Sequence, residues 1–146
     1  MKFRLSILAL LAAVTIGCAS APIVKAQHAS VDLHAILATV QDAETALCNK
    51  GADAQCHSAV PAWTTAKHAE FNGHLVVALK AGKAFNEAVR TAPVGPAEKL
   101  NFASASNEVA ALADLIKGVL PPDSPTAKTI DTAKDAILAL LPLFLS

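Results

Sequence analysis

Residues 61–91 read PAWTTAKHAEFNGHLVVALKAGKAFNEAVRT. Phe71, Leu75, Ala78, Leu79, Gly82, Phe85 and Val89 recur in steps of three and four, which places them on one stripe of an α-helix. Pro61 suits a first turn, where its missing N–H is not needed, and Pro93 prevents continuation. The spacing therefore predicts one long helix from about Pro61 to Thr91. A helix that is apolar on one side needs partners to cover that side. Ala78 and Gly82 lie one turn apart and would let a partner approach closely.

The flanking segments supply those partners. Leu33, Ile36, Leu37, Val40, Ala43 and Leu47 form a stripe of the same period, with Ser30 as an N-cap and Gly51 beyond its end. Downstream, Pro96 opens a helix to about Val119. Leu112, Leu115, Ile116 and Val119 mark its second half, while Asn101, Ser104, Ser106 and Asn107 make its first half more polar. Pro121-Pro122 breaks the chain, and Ser124-Pro125 is a cap followed by a first-turn proline. Ile130, Ala133, Ile137, Leu141 and Phe144 line the last helix, with Pro142 fraying or kinking its final turn. Four amphipathic helices joined by short loops predict an all-α, up-down-up-down four-helix bundle without strands. Residues 30–146 form this single domain. The apolar run Ala136–Leu145 is too short to span a bilayer and is expected to complete the core.

Composition agrees. The chain is 53% hydrophobic, and alanine, the best helix former, supplies much of that. Aromatic residues are only 4% and tyrosine is absent, which disfavours a β-sandwich and an aromatic sugar site. Basic and acidic residues balance at 12 each, and no Lys/Arg cluster occurs, so no nucleic-acid partner is expected.

The N-terminal eighteen residues, MKFRLSILALLAAVTIGC, have a different character. Lys2 and Arg4 precede an uninterrupted apolar run from Leu5 to Ile16, followed by Gly17-Cys18 and the small residues Ala19-Ser20-Ala21. That order is an export signal over residues 1–17 and not part of a fold. Thr15-Ile16-Gly17-Cys18 resembles the lipobox of bacterial lipoproteins, with Thr15 where the pattern usually has leucine. The resemblance is confined to this segment and implies lipidation of Cys18, a membrane partner through that lipid, and residues 18–29 as a tether. Ala19 in place of aspartate implies, by the same resemblance, the outer membrane. Two other readings remain open: ordinary cleavage after Ala21 or Ala26, and an uncleaved anchor over Leu5–Val24.

With Cys18 lipidated or removed, Cys48 and Cys56 remain as an even pair in an oxidising compartment. A disulfide between them would close the loop CNKGADAQC and contribute about 2–3 kcal/mol. Cys56-His57 lacks the second cysteine of a haem-attachment motif, and the spacing fits no standard zinc finger.

Few residues could carry chemistry. His68, Glu70 and His74 form the densest polar group of the long helix and are the metal-ligand candidates. Glu70 and His74 share a face, whereas His68 and His74, six apart, point to different sides. Their spacing matches neither H-E-x-x-H nor the Glu-x-x-His of di-iron bundles, so help would have to come from His34, Asp42 or Glu44. Trp63 reads as a cap on the core. No nucleophile elbow, phosphate loop or triad spacing appears. The sequence is thus read as a non-enzymatic cell-envelope protein without a cofactor, with a structural role or a protein or ligand partner. The alternative is a periplasmic metal- or haem-binding bundle using the histidines of the long helix.

Overall fold

The computed structural model describes residues 22–50, 56–58, 60–91 and 94–145. Helix α1 spans Pro22–Leu47, α2 Thr65–Val89, α3 Pro96–Lys117, α4 Pro125–Leu140 and the short α5 Pro142–Leu145. Between α1 and α2, β1 (Asn49–Lys50) pairs antiparallel with β2 (Cys56–His57), Asn49 opposite His57 and Lys50 opposite Cys56. The export signal, Cys18 and the loop core 51–55 lie outside the described residues, as do the side chains of Cys56 and His57. Among the described residues no helix is long and apolar enough to cross a membrane.

Bonds between helices establish directly that α1 runs antiparallel to α2 and α3 antiparallel to α4. The start of α1 meets the end of α2, where Ser30 Oγ donates to Asn86 Oδ1 and the Gln27 amide to the Val89 carbonyl. The end of α1 meets the start of α2 through Glu44 and His68. Helices α3 and α4 run antiparallel, with Lys117 on Asp131 and Lys134 on Asp114, both at 2.6 Å. The bundle is therefore the four-helix all-α architecture expected from the four stripes.

Caps set most of the boundaries. Thr64 Oγ1 accepts from the Lys67 N–H, so α2 begins at Thr65 and not at Pro61, and residues 61–63 form a turn ahead of it. Glu98 Oε2 accepts from the Gly95 N–H at 2.8 Å, the reaching-back half of a capping box. Ser124 Oγ accepts from the Ala127 N–H, the cap expected of Ser124-Pro125. Pro142 ends α4 more sharply than a kink, and the chain resumes as α5, which turns Phe144 into the core.

Several expectations are corrected. Helix α1 starts at Pro22, so residues 22–29 of the supposed tether are helical. Ala26 and Ala29 extend its buried stripe upstream, and Ser30 is not a cap but a buried residue bonded to Asn86. The polar first half of α3 buries Phe102, Ala105 and Ser106, because the Ser106 hydroxyl is satisfied by the Phe102 carbonyl of its own helix. Leu79 lies exposed, at the edge of the α2 stripe whose other members already cover the interface. The β1–β2 ladder adds a minimal strand pair where none was expected.

The core has two aromatic centres. Phe85, Phe102 and Phe144 pack together with centroids 4.5–5.7 Å apart, joining α2, α3 and α5 at one end. Trp63 meets Phe71 edge-on at 5.9 Å. Gly82 faces α1, where an added Cβ would touch Leu33 at 3.5 Å, the close approach its position predicted.

Candidate functional site

The polar residues of interest collect where α1 hands over to α2. Glu44 lies on the last turn of α1, between the buried positions Val40 and Leu47, and is itself buried. Cys48 follows the helix, and its backbone N–H still bonds the Glu44 carbonyl at 3.0 Å, which fixes the two side chains one turn apart. His68 sits on the first turn of α2, held by a backbone bond to the capping residue Thr64. The antiparallel crossing of the two helices then sets the imidazole against the carboxylate, with Nδ1 2.8 Å from Glu44 Oε1.

A carboxylate only accepts, so Nδ1 carries the proton that is donated to Glu44. The Asn72 amide, one turn along α2, stands 3.1 Å from Nε2 and donates to its lone pair. Cys48 Sγ is 3.7 Å from the same Nδ1. One ligand atom each from Glu44, Cys48 and His68 thus falls within a 4.8 Å cluster. Its setting is half dry: the Glu44 side chain is 10% exposed and that of His68 26%. Cys48 is itself buried and has a further interaction besides these.

His74 makes a second, separate pair. Its Nδ1 donates to Glu108 Oε2 of α3 at 2.6 Å. The six-residue separation therefore does what helical geometry required, and sends His68 towards α1 and His74 towards α3. Glu70 is exposed and is not part of either pair, so the three sequence candidates do not converge on one point. Of the helpers considered on α1, Glu44 is the one that arrives. His34 is exposed with its Nδ1 on its own helix's Ser30 carbonyl, and Asp42 is exposed. Trp63 is buried as a core cap, and its buried indole N–H has no hydrogen-bond partner among the described residues.

Asn72 and Glu108 escaped the sequence reading. Glu44 carried a signal, because it falls on the buried stripe of α1, where an unpartnered carboxylate would be costly. Asp32 is a second buried acid on α1. Burial raises its pKa above the ordinary carboxylate value, and nearby His28 partly opposes the shift. The cluster at Glu44, Cys48 and His68 offers mixed oxygen, sulfur and nitrogen donors, whereas the His74–Glu108 pair offers two donors only. Comparison of the chain with protein-family models, with curated proteins and with solved structures finds no match.

Proposed function

We propose that this chain is a non-enzymatic cell-envelope lipoprotein, exported and tethered through Cys18, whose helical bundle serves a structural role or binds a protein or ligand partner. The observation that carries the reading is the order of the first eighteen residues: a basic start, an apolar run, and Gly17-Cys18. The absence from the sequence of a nucleophile elbow, phosphate loop or triad spacing supports a role other than catalysis. A Cys48–Cys56 disulfide belongs to the same reading. Its support is the β1–β2 ladder, which returns the chain carrying Cys56 alongside the residues that follow Cys48.

Labelling cells with radioactive palmitate tests the tether. Wild type is expected to incorporate label and to fractionate with membranes, and Cys18→Ser to lose the label and accumulate unprocessed. Unlabelled, fully soluble wild type would overturn lipidation in favour of ordinary cleavage. Mass spectrometry of unreduced protein after alkylation tests the crosslink separately, with no alkylatable thiol expected at Cys48 or Cys56. A second reading, metal binding, is favoured by one observation, the Glu44–Cys48–His68 cluster.

A further inference from the structure

We infer that Glu44, Cys48 and His68 form a zinc-type metal site that is opened by reduction of the Cys48 disulfide. The inference deepens the metal-binding reading and rests on the Cys48–Cys56 crosslink proposed above. Its starting point is the convergence within 4.8 Å of three different donors, one from each of two helices and one from the residue that follows the first.

The donor chemistry selects the ion. Thiolate, imidazole and carboxylate together suit a borderline divalent cation of the zinc type, and are wrong for magnesium or calcium, which take oxygen ligands. The geometry agrees. With ordinary zinc bonds of about 2.1 Å to nitrogen and 2.3 Å to sulfur, the observed 3.7 Å between Nδ1 and Sγ corresponds to an angle of about 115° at the metal. That is close to tetrahedral. Glu44 Oε1 now stands 2.8 Å from Nδ1 because a proton lies between them. An ion in place of that proton requires the two atoms to separate by about 0.6 Å, which a small turn of the Glu44 side chain provides. Three protein donors leave the fourth position to water or to a ligand.

The crosslink is the gate. A disulfide sulfur is a poor ligand, whereas a thiolate is a strong one. A dithiol reductant supplies two electrons and two protons, converts the Cys48–Cys56 disulfide to two thiols, and itself leaves as a disulfide. On metal capture the Cys48 thiol releases its proton to solvent. His68 Nδ1 becomes the ligand, so the ring proton moves to Nε2. Asn72, now 3.1 Å from Nε2 as a donor, turns its amide to accept that proton through Oδ1. Asn72 is in this way the positioning residue that holds the metal-binding tautomer.

The test is competition for Zn(II) against a chromophoric chelator, with protein as isolated and after phosphine reduction, and with Co(II) as a spectroscopic probe. Reduced wild type is expected to take one Zn(II) per chain and to give a thiolate-to-cobalt charge-transfer band. Cys48→Ser and His68→Ala should lose both while keeping their helical circular dichroism, and His74→Ala should keep both. Asn72→Ala should weaken binding by about tenfold or more. Reduced wild type that binds zinc no better than His68→Ala, or a site lost with His74, overturns the inference. Equal binding with and without reductant, together with alkylatable thiols in unreduced protein, overturns the crosslink and its gate but leaves the metal site standing.

Discussion

Two histidines of α2 each hold a carboxylate on a neighbouring helix, and the two pairs allow burial to be weighed against distance. His74–Glu108 is the shorter at 2.6 Å, yet its side chains are 34% and 26% exposed. His68–Glu44 is longer at 2.8 Å, with exposures of 26% and 10%. Distance alone would make the first pair the stronger. Solvent screening argues the reverse, because an accessible pair trades each protein hydrogen bond for one to water. Removing the His68 ring leaves the buried Glu44 carboxylate without its donor, at a cost of about 1–3 kcal/mol. A double-mutant cycle with His68→Ala and Glu44→Ala should therefore return a coupling of about 1–2 kcal/mol, discounted from a fully buried charged hydrogen bond for the partial exposure of His68. The cycle on His74 and Glu108 should return about 0.2–1 kcal/mol, the range of exposed pairs. Urea unfolding reads both, followed by circular dichroism and by the fluorescence of Trp63, the chain's single tryptophan. A larger coupling for the shorter pair would refute the reasoning, since burial would then not govern these contacts.

Gly73 lies inside α2, and a Cβ added there meets nothing within 4 Å. Gly73→Ala should raise stability by about 1 kcal/mol and the melting temperature by several degrees, because alanine lacks glycine's entropic penalty in a helix. At Gly95 the same change sets a Cβ 2.8 Å from Glu98 Oε2, so thermal melting should show Gly95→Ala destabilised through loss of the cap. The folded-state pKa of Asp32 is raised by burial, so the native state binds its proton more tightly than the unfolded chain does. Stability on this account falls as pH rises through that folded value. Asp32→Asn should melt higher than wild type near neutral pH, and the gain should vanish on acidification below the ordinary carboxylate value. Phe144→Ala should cost about 3–5 kcal/mol in denaturant unfolding, because it empties the third position of the Phe85–Phe102–Phe144 cluster.

The amino-acid sequence by itself determined the four long helices, most of their buried stripes and most of their punctuation. Leu33 to Leu47, Phe71 to Val89 and Ile130 to Ile137 repeat at helical spacing, and proline, glycine and serine mark the breaks through local backbone chemistry that needs no tertiary partner. The divergence of His68 and His74 was legible for the same reason, since six residues of helix fix the angle between them. Boundaries that depend on a neighbour were not legible. The upstream reach of α1 to Pro22 follows from Ala26 and Ala29 finding cover, and from Gln27 and Ser30 finding partners on α2. The buried first half of α3 was hidden because its polar residues satisfy themselves within the helix or reach solvent. The candidate site was half visible: His68 stood out by residue type, and Glu44 only as one of three residues, with His34 and Asp42, that could help it. Only the antiparallel crossing of α1 and α2 joined them, and only the crossing of α2 with α3 gave His74 to Glu108. Spacing along one helix constrains directions within that helix, whereas which carboxylate a histidine meets is set by how two helices pack.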